Sequence, residues 1–351
     1  MNLDALRELD LPPIEHVYTK RDTMLYALGL GFGADPLDAR QLQFVFEEGL
    51  RALPSMSVVL AHPGFWIRRP EFGVDWLRLL HGEQSFEVHR PLPPEGAVRG
   101  VYKISAIEDR GKDRGAALFQ DKELFDVATG DHLATVRSTV ILRGDGGQGG
   151  FGDAPVQPEP LPPGAPDRVV DIPTLPQSAL IYRLSGDYNP IHADPGSAKK
   201  AGFERPILHG LCTMGIACRG LIEAVDADEP ERLSAMSVRF SRPVFPGETI
   251  RVEIFGDGAE VAFRARVLER DVIVLDRGRA RFAAPIARER RASASISSSS
   301  RSTVMPFNRR FKLSFISWST SSAALTRSRE MPSKIVRFSS LPTSDICSMT
   351  R

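Results

Sequence analysis

The chain has 351 residues, of which 45 are basic and 44 acidic, and 42% of it is hydrophobic. That length spans two average domains, or one large one with a sizeable core. A formal charge of +1 excludes a generally basic nucleic-acid binder and an acidic tail protein. The balance conceals a split. Residues 287–351 hold 12 of the basic and 3 of the acidic residues, so that segment carries +9 and the remainder −8. Three cysteines, Cys212, Cys218 and Cys347, are too few and too irregularly spaced for a disulfide framework or a four-ligand zinc site. A reducing compartment is therefore expected. The opening MNLDALRELDLPP has early acids and no apolar run, so no secretory leader is expected. No stretch approaches the roughly 18 apolar residues of a membrane span.

In chain order, Thr23–Gly31 (TMLYALGLG) reads as an amphipathic helix ending in Tyr-x-Leu and then glycine. Gln84–Gly96 is an alternating strand running into Arg-Pro-x-x-Pro and a turn, and three strand-like pieces follow at 101–107, 116–125 and 134–142. Gly144–Pro166 is Gly-rich and then Pro-rich, a composition that excludes helix and central strand and reads as a linker. The same order of signals then returns. Ser178–Asp187 (SALIYRLSGD) matches the first helix, Met236–Gly247 (MSVRFSRPVFPG) matches the first strand and turn, and strand-like pieces follow at 249–254, 261–268 and 272–281. A helix wrapped by an antiparallel sheet, duplicated, is the simplest α+β architecture that fits. The expected organisation is a domain at 1–143, a linker at 144–166, a second domain at 167–286 and a Ser/Arg-rich tail at 287–351. The tail has 18 serines and no sustained hydrophobic period, and such a composition is expected to remain disordered.

Chemistry concentrates in the second half. In Tyr182–Asp194 (YRLSGDYNPIHAD), Gly186 and Pro190 forbid continuation of the helix, so Asp187, Asn189 and His192 fall on one tight loop. A carboxylate and an imidazole aimed by one loop form a competent acid–base pair at neutral pH. A turn-capping aspartate and a structurally bonded histidine are the plainer reading of that loop taken alone. Pro206-Ile207-Leu208-His209-Gly210 then leads into an apolar helix from Leu211 to Val225. A glycine amide at a helix N-terminus suits a developing oxyanion, whereas His209-Gly210 taken alone reads as a cap. Together the two runs point to enolate chemistry on a carbonyl compound.

Ser185-Gly186-Asp187-Tyr188-Asn189-Pro190-Ile191-His192, a spacer, and Pro206-Ile207-Leu208-His209-Gly210-Leu211 resemble the signature of MaoC-like, type 2 (R-specific) enoyl-CoA hydratases. Tyr26–Gly29, Phe44–Glu47, Leu80–Gln84 and Gly149–Gly152 also resemble the two-domain eukaryote-type members, so the likeness covers 1–286. It implies a double hot-dog fold whose first half accommodates the acyl chain and has lost the catalytic loop. In keeping with this, Gly31 stands where Asp187 stands in the repeat, and no Asn-Pro-x-His follows it. The resemblance implies Asp187 and His192 as the catalytic pair, Asn189 orienting them or the water, and the Gly210 amide holding the thioester oxygen. It implies substrate contacts at His81, Gly82, Tyr188, Pro190, Ile191 and Phe240, and at Arg110, where the family usually has lysine. Packing roles at His81 and Phe240 and a plain surface charge at Arg110 are the competing readings.

The implied reaction is reversible addition of water to a trans-2-enoyl-CoA, giving a (3R)-3-hydroxyacyl-CoA, with no cofactor and no metal; coenzyme A belongs to the substrate. The implied partner is the acyl-CoA thioester, with no nucleic acid and no membrane span, and a homodimer is compatible with it. A hot-dog acyl-CoA thioesterase and a non-catalytic acyl-thioester-binding subunit are the rivals. Arginine outnumbers lysine 37 to 8, as in GC-rich genomes, so a bacterial cytoplasm is the expected location. A eukaryotic protein of this kind is expected in peroxisomes, although Met349-Thr350-Arg351 does not resemble a Ser-Lys-Leu signal.

Overall fold

The computed structural model describes residues 1–225 and 229–284, so the tail expected at 287–351 lies outside the described residues. The chain forms helix α1 (Leu3–Arg7), strand β1 (Ile14–Tyr18), helices α2 (Lys20–Gly29) and α3 (Ala39–Leu42), and then strands β2 (Leu79–Val88), β3 (Gly96–Asp109), β4 (Ala116–Asp126) and β5 (His132–Leu142). The second half repeats the plan. Strand β6 (Arg168–Pro173) precedes helices α4 (Ser178–Tyr182), α5 (Pro195–Lys200) and α6 (Gly210–Val225), and strands β7 (Leu233–Phe240), β8 (Thr249–Phe255), β9 (Glu260–Val267) and β10 (Val272–Phe282) follow.

All ten strands join in one antiparallel sheet of order β1-β3-β4-β5-β2-β7-β10-β9-β8-β6. Read outward from the centre, each half has the same order, so β1 to β5 correspond in turn to β6 to β10. The β2–β7 pairing, Glu83 opposite Arg239 through Glu87 opposite Ala235, fuses the two halves edge to edge. Neither half presents that edge to solvent, which removes the exposed ladder that an isolated half would offer. The outermost strands, β1 and β6, were not read from the sequence: each is short, with five and six residues.

The sheet wraps α6. Cys212, Met214, Ile216, Ala217, Cys218, Leu221 and Ile222 are all buried, and one apolar cluster runs from Tyr18 and Phe86 of the first half to Phe263 and Phe282 of the second. A helix that is apolar on nearly every face belongs in a core. The duplication is unequal here. At the corresponding place the first half has only short 3-10 turns, including Pro54–Val58, in a run broken by Pro63, Gly64 and Pro70. Lys122, buried on β4, holds that segment by donating to the carbonyls of Ser57, Val58 and Leu60 at 2.8, 3.2 and 2.7 Å.

The segment read as a linker is not a free tether at its Gly-rich end. The Asp109 carboxylate accepts from the amides of Gly147 and Gly149, both at 2.7 Å, and Phe151 bridges to Ile107 of β3. A Cβ built on Gly150 would lie 2.0 Å from the Ile107 carbonyl oxygen, so only glycine allows this contact. Glycine there reports close packing on β3, not looseness. The Pro-rich part then crosses to the second half, where Arg279 donates to the Glu159 carbonyl at 2.6 Å.

Candidate active site

Helix α4 gives way after Tyr182 to a 3-10 turn, Arg183–Ser185, that ends on Gly186 with φ +117°. The left-handed cap turns the chain out of the helix, as the glycine predicts. Asp187 then accepts from the Asn189 amide at 3.1 Å, and Asn189 in turn caps the turn Pro190–His192 by accepting from the Ile191 amide at 3.3 Å. This succession of local bonds directs Asp187 outward, with its side chain 49% exposed, and His192 inward, with its side chain 8% exposed.

Asp187 Oδ2 and His192 Nε2 are 3.9 Å apart. That is too long for a direct hydrogen bond, but one water about 2.8 Å from each can bond to both. His192 Nδ1 lies 2.9 Å from the Ile207 carbonyl oxygen and donates its proton there, which leaves the Nε2 lone pair facing the carboxylate. Burial lowers the His192 pKa below the usual 6.5, against the opposing pull of the Ile207 carbonyl and Asp187. The imidazole is therefore neutral at neutral pH and able to take a proton.

His209 stacks on His192, with ring centroids 3.7 Å apart and planes at 24°. Its Nε2–H donates to the Asp187 backbone carbonyl at 3.2 Å, and its Nδ1 is buried without a partner among the described residues. Burial first, and the neighbouring His192 second, lower its pKa to about 4. Helix α6 begins at the next residue. The first-turn amides, that of Gly210 included, have no carbonyl one turn earlier in the helix to accept from them. A Cβ on Gly210 would sit 3.3 Å from the Phe240 ring, so a side chain there would press on the wall of the site.

Phe240, at the end of β7, packs edge-on against His81 of β2 with centroids 4.8 Å apart. The β2–β7 seam thus delivers a first-half residue to a second-half site. Gly82 lies at an irregularity in the β2–β5 ladder, where a Cβ would approach Ile141 to 2.9 Å. Tyr188 is 58% exposed, with the Arg183 guanidinium 4.9 Å from its ring centroid, and Pro190 and Ile191 form the turn itself. Arg110 lies just beyond the end of β3, three strands from β2 in the sheet order, and its Nε donates to Glu108 Oε2 at 2.7 Å. The carboxylate two residues away, which the substitution of arginine for the family's lysine does not foretell, holds it at the turn. A groove of about 440 Å³ along the β2–β7 seam, with Arg137 and Arg281 in its walls, contains none of the loop residues.

Asp187, His192 and His209 each place a donor atom within 4.8 Å of the others, a grouping that the sequence spacing did not suggest. Each ring commits one nitrogen to a backbone carbonyl, His192 Nδ1 to Ile207 and His209 Nε2 to Asp187, which leaves one lone-pair nitrogen on each ring. Of the residues at the site, His209 was read only as a cap. Its stacking partner lies 17 positions away across two turns and a helix, and no periodic signal links them.

A double hot-dog with an acid–base loop facing a helix N-terminus defines a class of acyl-thioester enzymes. Residues 159–277 match the MaoC like domain and residues 16–144 match the MFE-2 hydratase 2 N-terminal domain. The chain is 36% identical to the peroxisomal enoyl-CoA hydratase 2 of Arabidopsis thaliana, over 78% of this chain and 93% of that one. It is 37% identical to the 3-hydroxyacyl-thioester dehydratase Y of Mycobacterium tuberculosis, over 78% and 95%. The solved MaoC-like dehydratase of Phytophthora capsici is 34% identical and superimposes with a TM-score of 0.70, over 81% of this chain and 99% of that one. The chain belongs to the MaoC-like, enoyl-CoA hydratase 2 family.

Proposed function

We propose that the protein reversibly hydrates trans-2-enoyl-CoA to (3R)-3-hydroxyacyl-CoA, with Asp187 and His192 working on a single water. It is a hydro-lyase of fatty-acyl-CoA metabolism, in keeping with the names of its relatives. The observation that carries the assignment of roles is the 3.9 Å gap between a carboxylate and an imidazole whose lone pair faces it. The bound water gives its hydroxyl to the β-carbon and a proton reaches the α-carbon through the pair, so no atom is left over. The Gly210 amide at the start of α6 holds the thioester oxygen as it gains charge. Acid–base help of this kind contributes ~10²–10⁴-fold, and an oxyanion donor about 10²–10³-fold.

Asn189 acts by holding the loop, and His81, Gly82, Tyr188, Pro190, Ile191 and Phe240 frame the thioester end of the substrate. Arg110 reaches the phosphates at the far end of coenzyme A only by exchanging Glu108 for them. The thioester itself activates the alkene, so the proposal needs no cofactor or metal. A homodimer, checked by light scattering, belongs to the same proposal. So does a cytoplasmic location in a bacterium or a peroxisomal one in a eukaryote. Among the described residues no helix is long and apolar enough to cross a membrane.

The test follows loss of enoyl-thioester absorbance over a panel of trans-2-enoyl-CoAs, with chiral analysis of the product. A (3R)-hydroxyacyl product is expected. Release of free coenzyme A would instead indicate a thioesterase, a (3S) product would overturn the stereochemical reading, and binding without turnover would mark a carrier subunit.

A further inference from the structure

The stacked imidazole beneath the catalytic pair is unaccounted for by the mechanism above, on which the following rests. We propose that His209 is a positioning residue for the hydration: its ring face holds His192 in a dry, fixed orientation while its Nε2–H fixes the backbone of Asp187. The contacts that carry this are the 3.7 Å ring stack, the 3.2 Å bond to the Asp187 carbonyl, and near-complete burial, with His209 only 1% exposed. One side chain therefore touches both members of the pair and directly precedes Gly210, the third. It reaches none of them at the atom that would meet substrate.

The chemistry of the residue argues the same way. A phenylalanine would stack equally well and would leave no unpartnered acceptor. The buried Nδ1 of His209 has no partner among the described residues, which disfavours an imidazole here. An imidazole here is worth that cost through its one made bond, to Asp187. A cation would also be disfavoured at the N-terminus of α6, so the ring stays neutral. Around the stacked pair the titratable groups are Asp187 in the loop and Tyr182 and Arg183 at the end of α4, with Asp187 also acting on His62 and His81 of the first half.

Two variants separate the two contacts. His209→Phe keeps the stack and loses the donor: kcat is expected to fall about tenfold or more from a misplaced loop, with KM little changed, melting temperature no lower than wild type, and the acidic limb of the pH profile unmoved. His209→Gln keeps a donor and loses the stack: the acidic limb is expected to move to higher pH as water reaches His192. Titration of the His192 ring by NMR reads the same shift without turnover. Wild-type kcat in His209→Phe, or an unmoved His192 titration in His209→Gln, would overturn the proposal. If wild type hydrates no enoyl-CoA, the functional reading fails on its own, and the NMR titration still decides whether His209 keeps His192 dry.

Discussion

At the scale of single residues, the loop works because short-range bonds place two side chains with opposite exposure within 3.9 Å of each other. Asp187→Ala and His192→Ala are each expected to lower kcat by about 10²–10⁴-fold. The double variant should lose little more than either single one, because in the proposed mechanism the two groups act as a unit on one water. A single variant that retains a tenth of wild-type kcat would remove that residue from the mechanism. The pH dependence follows from burial. The His192 pKa lies below 6.5, so the base is neutral at pH 7 and activity should fall only as pH drops through that lowered value. Stability has the same sign. His209 titrates at about 4 in the folded chain and near 6.5 unfolded, so the unfolded chain binds more protons between those values. The stability that neutral His209 contributes is present above pH 6.5 and is lost toward pH 4, which urea midpoints across that window would measure.

At the scale of elements, α6 is positioned by what it lacks as much as by what it buries. A Cβ at Gly220 would lie 2.8 Å from Val252 Cγ2 and 3.2 Å from its Cβ, and a β-branched side chain on a strand has little freedom to yield. Alanine normally improves a helix interior by up to about 1 kcal/mol over glycine. Here Gly220→Ala should instead destabilise by about 1–3 kcal/mol through overpacking, seen as a lower urea midpoint, and an unchanged or raised midpoint would show that β8 gives way. The turn after α2 in the first half differs from the loop after α4. Gly31, at the position of Asp187, has a left-handed φ of +83°, and a Cβ there would meet the Arg219 guanidinium of α6 at 3.0 Å. Arg219 donates to the Leu30 carbonyl and pairs with Glu223 at 2.8 Å, so a buried cation packs against the turn after α2.

At the scale of the whole molecule, the two halves share one sheet and one apolar cluster. The first half supplies β2 and its His81 to the site, and the second supplies the loop, α6 and Phe240. A fragment of residues 1–143 should therefore show no hydratase activity, and turnover by that fragment would mean that the assignment of the halves is reversed. The last strand ends at Phe282, whose amide donates to the Ala259 carbonyl, and the family match ends at 277. Residues 287–351 should be dispensable: a chain ending at 286 is expected to keep kcat, KM and a melting temperature within a few degrees of full length, and loss of activity on truncation would make the tail part of the enzyme.

Local chemistry was legible in the residues themselves. Gly186 supplies a left-handed helix cap and Pro190 bars resumption of the helix, so the outward turn carrying Asp187, Asn189 and His192 followed from backbone sterics and needed no knowledge of the fold. The eight inner strands were readable because runs of strand-forming residues bounded by turn signals are written at short range, and the repeat was readable because it occurs twice. The tertiary structure alone decided the rest. The Asp109 carboxylate and the β3 backbone turn a Gly-rich stretch into packed structure, since composition reports freedom and not what occupies it. Arg110 is paired with Glu108 at the turn beyond β3. His209 meets His192, and His81 meets Phe240, only because turns and a shared sheet edge bring distant positions together. Such contacts depend on where chain segments cross, which no local period encodes, and the proposed positioning of Asp187 and His192 belongs to them.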